Sequence, residues 1–189
     1  MVVLGIDPGT RHLGWGVVHV AGNRVSHLAH GVLHAADKLS LPERLLLLET
    51  GLLEVIDRLQ PTVGSVETLF FHKDAQAAAK LGHARGMVLL SLQRRNVAVA
   101  EYQPARVKSM ITGRGSAEKS QVAQMIRILL NLKEIPEEDA ADALALAITH
   151  VRRGPLDDRL AAAASPVSLV LASLPTARAL AMRRRKSAV

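Results

Sequence analysis

The sequence contains no cysteine. That absence removes disulfides, thiolate metal ligands and thiol nucleophiles together, and it suits a reducing compartment. Aromatic side chains are scarce, with two phenylalanines, one tryptophan and one tyrosine in 189 residues. A core with so few rings must be filled by aliphatic and alanine side chains. No apolar run reaches the length that spans a bilayer. The first residues have strand character, without a basic leader or a small-residue cleavage site, so no signal peptide is expected and the cytoplasm is the expected location. A convincing Ser-His-Asp arrangement is also missing. These absences cost nothing to a hydrolysis that needs no nucleophilic side chain.

What is present begins with apolar content of 49%, which marks a globular chain. The net charge is +7. Beyond Gly154 there are six Lys and Arg against two acids, which leaves eighteen against fifteen up to that point. We expect residues 1–153 to form one domain and residues 154–189 a mobile basic appendage. Within the domain, basic residues cluster in the middle: Lys73, Lys80, Arg85, Arg94 and Arg95, then Arg106, Lys108, Arg114 and Lys119. A basic surface around an acidic pocket suits a polyanionic substrate and a divalent cation.

Val2 to Ile6 is a short β-branched run closed by Asp7-Pro8-Gly9, which predicts a buried strand entering a turn. A second strand over Leu13–Val20 and a third over Arg24–His34 are joined by Gly22-Asn23. Ser40 and Pro42 open a helix that runs to Leu59. Val63–Glu67 reads as a fourth strand, Asp74–Arg95 as a long alanine-rich helix and Val97–Tyr102 as a fifth strand. A short helix from Pro104 to Ile111 leads into the loop Thr112-Gly113-Arg114-Gly115-Ser116. Ser116 is the expected cap of a helix over Ala117–Leu132, and Pro136 the expected start of a last helix to Arg153. This order predicts an α/β fold, a five-stranded mixed sheet flanked by helices on both faces.

Four carboxylates stand out. Pro8 biases Asp7 toward extended geometry, so its side chain should project from the strand end. Glu67 ends the fourth strand beside the apolar Leu69-Phe70-Phe71, where an ionised carboxylate needs a partner or a cation. Asp139 and Asp142 lie three residues apart, on one face of the last helix. Glu137, Glu138 and Asp139 also complement that helix's dipole. Asp142 is harder to place that way, since its helix is apolar nearly all round. Oxygen ligands of this kind suit Mg²⁺ or Mn²⁺. Two such ions about 4 Å apart activate water and stabilise the leaving oxygen of a phosphodiester displacement.

Gly5-Ile6-Asp7-Pro8-Gly9-Thr10, Val66-Glu67 with Phe70, Leu81-Gly82-His83-Ala84-Arg85-Gly86, Thr112-Gly113-Arg114-Gly115 with Lys119, and Asp139-Ala140-Ala141-Asp142-Ala143-Leu144-Ala145 together resemble the RuvC family of Holliday-junction resolvases. The resemblance covers residues 1 to 153. It implies a ribonuclease-H-like fold, a homodimer and Mg²⁺-dependent paired nicking of four-way junction DNA, with 5′-phosphate and 3′-hydroxyl ends. By position it implies that Asp7, Glu67, Asp139 and Asp142 are the catalytic acids and hold the metal, expected to be two Mg²⁺ ions per site with Mn²⁺ as a substitute. Some members carry histidine at the position of Asp139, so an all-carboxylate set is expected here.

The resemblance further implies that Lys108 and Lys119 contact DNA near the scissile phosphate and that Phe70 stacks on a junction base. Stacking contributes about 1–3 kcal/mol per base. Of the two phenylalanines, Phe71 is expected to be the more buried. Arg114, on its glycine-rich loop, offers a guanidinium to phosphate. His72 and Lys73 are also expected to meet DNA. The small residues Ala77, Ala78, Ala79, Gly82, Ala84 and Gly86 allow close helix approach, and the family pairs through this helix. RuvA and RuvB, the branch-migration proteins, are the implied partners. Two rivals are an actin-like ATPase, whose opening motif is similar but which needs a duplicated domain, and a junction clamp without catalysis.

Overall fold

The structure, a computed structural model, describes residues 1–68 and 75–153. Its elements are β1 (Val2–Asp7), β2 (His12–Ala21), β3 (Arg24–His34), α1 (Leu41–Leu59), β4 (Val63–Glu67), α2 (Ala75–Arg94), β5 (Ala98–Tyr102), α3 (Pro104–Thr112), α4 (Lys119–Leu129) and α5 (Glu138–Val151). The sheet order is β3-β2-β1-β4-β5. β1, β2 and β3 form an antiparallel meander, joined by short turns, whereas β4 pairs parallel with both β1 and β5. The crossovers that parallel pairing requires are α1 and α2. Residues up to Arg152 form one compact unit. The expected appendage, residues 154–189, lies outside the described residues.

Alternation along β1 sorts the core into two layers. Leu4 and Ile6 point to one face, where they join Leu13, Trp15 and Val17 beneath Leu48, Leu52, Val88 and Leu92 of α1 and α2. Val3 and Val18 point to the other, packed with Val107, Val122, Ile126 and the buried side of α5. Helices therefore cover both faces, as the alternation of strands and helices predicts. Arg94 pairs with Glu49, and Arg95 makes a two-pronged contact with Asp57 at 2.6 and 2.8 Å, clipping α2 to α1 at the surface.

Helix starts differ from the sequence expectation at two places. Ser40 does open α1, and its backbone N–H donates to the Glu43 carboxylate at 2.7 Å. Ser116 does not cap α4: the cap is Glu118, whose N–H donates to the Gln121 side chain at 3.1 Å. Gly115 and Ser116 are held instead in a turn, with the Ala117 N–H directed at the Arg114 carbonyl. Asn131, in left-handed geometry at φ 51°, follows the end of α4 and rules out the longer helix to Leu132. The last helix begins at Glu138, two residues after Pro136, with Glu137 as its cap.

Candidate active site

Parallel pairing aligns Gly5 with Ser65 and Ile6 with Val66, so Asp7 and Glu67 terminate neighbouring strands at the same edge of the sheet. Residues two apart on a strand share a face, which groups Asp7 with Gly5 and Glu67 with Ser65. Both pairs look toward α5. A Cβ added at Gly5 would lie 1.8 Å from the Ala143 carbonyl oxygen, and the buried Ser65 hydroxyl donates to the Leu146 carbonyl at 2.8 Å. Gly14, the antiparallel partner of Asp7, comes even closer to the point: its missing Cβ would meet Asp139 O at 2.0 Å and Asp139 Cβ at 3.0 Å. Three glycines, with Gly16 under Leu144, let the α5 backbone settle directly on the sheet. That contact brings the first turn of α5, with Asp139 and Asp142, over the Asp7 strand end.

The electrostatics follow from this crowding. Burial pushes the Asp7 carboxyl up to about 8, reinforced by repulsion from Asp142, Glu67 and Asp139 and opposed by Lys119. Glu67 is raised by burial and then by Asp142, against the pull of Lys119 and Lys108. Asp142 is raised by burial, and Lys119 partly offsets it. Lys119 is the counter-charge within reach: its Nζ lies 2.5 Å from Glu138 Oε1 and 3.4 Å from Asp142 Oδ2. Glu138 is the largest cause of the raised Lys119 pKa. Two ammoniums, Lys119 and Lys108, do not balance the carboxylates of Asp7, Glu67, Glu138, Asp139 and Asp142. Among the described residues, no group of three or more His, Asp or Glu side chains is drawn together tightly enough to hold a metal ion as it stands. The donor chemistry nevertheless fits a hard divalent cation, because every candidate ligand is a carboxylate and the set lacks positive charge.

The other expected residues fall in three places. Lys108, on α3, and Lys119, at the start of α4, face the acids. Arg114 lines a separate open cavity of about 580 Å³ with Thr112, Ser120, Gln121 and Gln124, which is not over the carboxylates. Phe70, His72 and Lys73, and with them Phe71, lie outside the described residues. Two residues carry more than the sequence reading gave them. Glu138, taken for a helix-dipole acid, holds Lys119. Arg85, noted only within a motif and a basic cluster, donates to the Glu67 carbonyl at 3.2 Å. The one local hint was an arginine set between Ala84 and Gly86 on a helix of small residues.

A mixed sheet in this order, with acids at two adjacent strand ends under an acid-bearing helix, defines a ribonuclease-H-like protein. The family model described as crossover junction endodeoxyribonuclease RuvC matches residues 3–150. The crossover junction endodeoxyribonuclease RuvC of Sorangium cellulosum is 52% identical over 167 residues, covering 88% of this chain and 93% of the relative. That of Parvibaculum lavamentivorans is 46% identical over 163 residues, covering 86% and 93%. Among solved structures, Thermus thermophilus RuvC in complex with a Holliday junction substrate superposes with a TM-score of 0.75 at 41% identity, covering 80% of this chain and 93% of that one. The chain belongs to the RuvC family.

Proposed function

We propose that the protein is a structure-selective DNA endonuclease that resolves four-way (Holliday) junctions by paired, symmetric nicks in homologous recombination and DNA repair. Each nick is hydrolytic and leaves a 5′-phosphate and a 3′-hydroxyl. The observation that carries this reading is the gathering of Asp7, Glu67, Asp139 and Asp142 at one sheet edge, on a chain whose relatives are named crossover junction endodeoxyribonucleases. These four acids would hold Mg²⁺, with Mn²⁺ as a substitute and two ions per site. The metal, when bound, supplies an acidified water and charge stabilisation at the leaving oxygen. The protein's own part is to keep the acids buried and close, so that their mutual repulsion is relieved by a bound divalent cation in place of a proton. Lys108 and Lys119 border the acids and bind phosphate there; Lys119 must exchange Glu138 or Asp142 for DNA to do so.

Arg114 reads the phosphate backbone farther out, and Phe70, His72 and Lys73, which follow Glu67 in sequence, serve the junction centre. Residues 1–153 constitute the nuclease domain. Two copies pair through α2, where Ala79, His83, Gly86 and Leu90 form an exposed stripe at helical spacing. A two-fold dimer presents identical sites to two like strands of a junction. RuvA and RuvB are its partners, and it works in the cytoplasm; no helix among the described residues is long and apolar enough to cross a membrane. The test is a labelled four-way junction and a matching linear duplex, each incubated with protein and Mg²⁺ or EDTA. Nicking of the junction alone, and only with Mg²⁺, is the expected result. Equal cutting of the duplex, or cutting in EDTA, overturns the reading.

A further inference from the structure

Arg85 approaches the acid cluster from behind. It lies on α2, between the fully buried Ala84 and the exposed Gly86, on the face of the sheet opposite α5. Its Nε donates to the main-chain carbonyl of Glu67, and its Nη2 pairs with the Glu101 carboxylate on β5. The Arg85 side chain is 18% exposed and that of Glu101 43%, so the contact with the Glu67 carbonyl is the better shielded of the two and the ion pair is partly screened by solvent. Glu67 is the last residue of β4, and the next N–H, that of Thr68, donates to Tyr102 O of β5 at 2.9 Å. The strand end that carries the carboxylate is thus held from β5 and from α2 at once. The contact Arg85 makes with Glu67 is to the main-chain carbonyl, and its charge is met by Glu101. Its influence therefore passes through the backbone.

We propose that Arg85 is a positioning residue for Glu67: by fixing the Glu67 carbonyl to α2 and β5, it presents the carboxylate on the opposite side of the strand to the metal site. This rests on the reading of Glu67 as a metal-holding acid. The same carbonyl end, left untied, would let the last residue of a short strand rotate, and the carboxylate would spend less time aimed at Asp7 and Asp142. Loss of such a support weakens metal use about tenfold or more in comparable sites. The DNA contacts assigned above to Lys108 and Lys119, on α3 and α4, should be untouched.

The experiment measures junction cleavage by the full chain against Mg²⁺ concentration, and junction binding in EDTA, for wild type, Arg85→Ala, Arg85→Lys, Glu101→Gln and Glu67→Gln. Arg85→Ala is expected to raise the Mg²⁺ needed for half-maximal cleavage about tenfold, with binding in EDTA unchanged. Arg85→Lys, which keeps a donor for the carbonyl, should recover part of that loss. Glu101→Gln should shift the requirement the same way by less. A folded Arg85→Ala variant with the wild-type Mg²⁺ profile overturns the proposal, as does a loss of junction affinity that accounts for the lost cleavage. Should Arg85→Ala not fold, wild-type Mg²⁺ requirements in both Arg85→Lys and Glu101→Gln overturn it equally. An active Glu67→Gln overturns the role of Glu67 itself. An inactive Glu67→Gln beside an unshifted Arg85→Ala removes only Arg85.

Discussion

Two helices of this chain are rich in small residues, and they use them in opposite ways. In α5, Ala140, Ala141, Ala143, Ala145 and Ala147 are buried, along with every residue from Ala143 to His150. Its neighbours are inside the chain: Gly5, Gly14 and Gly16, whose missing side chains make room for its backbone. In α2 the buried positions are Ala84, Val88, Ser91 and Leu92, and an added Cβ at Gly86 would meet nothing within 4 Å. Small residues announce a close neighbour without saying which one. For α5 it is the sheet, and the consequence is a carboxylate cluster; for α2 it is, by our reading, a second copy of the chain.

The sharpest separation of the two helices is chemical. Asp142→Asn on α5, or Asp7→Asn beneath it, is expected to lower junction cleavage by about a thousandfold or more, since groups that act as a unit fail together. Junction affinity should be kept or improved, because the change removes negative charge near phosphate. Gel shift and cleavage on the same preparations check this. Retained cleavage in Asp142→Asn would leave α5 a packing helix and nothing else, and the rival of a junction clamp would gain.

Next in size is the fit itself. Gly14→Ala sets a Cβ 2.0 Å from the Asp139 carbonyl, and Gly5→Ala one at 1.8 Å from that of Ala143. Backbone cannot yield as a flexible side chain can, so α5 must lift. We expect destabilisation of about 3 kcal/mol or more, seen as a lowered midpoint in urea. Any folded fraction should cleave poorly, with the acids spread apart.

Much of this was legible beforehand, and the parts that were not share a cause. Gly22-Asn23, Pro61 and Pro104 punctuate the chain, and the apolar periods between them gave each element its type. Asp7 and Glu67 could be paired because each closes a short apolar strand, and Asp142 because a poor helix former sat in an apolar helix. The cap of α4 was misplaced at Ser116 because Glu118 with Gln121 satisfies the same local rule three residues apart. Long-range partners had no local trace. Nothing around Lys119 announces Glu138, nineteen residues on, and nothing around Arg85 announces the Glu67 carbonyl. The glycines of β1 and β2 likewise carry no local sign of the helix they admit.

A smaller effect concerns protons. Asp7 is raised to about 8 from an ordinary value of 3.8. Between those values the folded chain keeps a proton that the unfolded chain has released, so stability falls as pH rises through this window. In EDTA, the melting temperature should decline from pH 5 to pH 8 by an amount that Asp7→Asn largely removes. Excess Mg²⁺ should flatten the same decline, because a bound cation takes the place of the proton. Gly86→Ala on α2, a helix without any acid, should leave the pH profile as it is. A wild-type profile that is flat in EDTA would mean that the acids are less crowded than their placement implies.

The smallest effect bears most directly on what covers α2. Gly86 lies inside the helix with open space around it, so Gly86→Ala should favour the helical state by about 0.5–1 kcal/mol. That gain belongs to the single chain. A second copy seated on the Ala79–Gly86–Leu90 stripe would meet the added methyl, and association should weaken even as each subunit becomes more stable. Thermal melts at low concentration and sedimentation across a concentration series separate the two. A rise in melting temperature with weaker pairing places the neighbour on this face. A rise with pairing unchanged moves the two-fold elsewhere, and a loss of stability in the single chain would show that α2, like α5, is already covered from within.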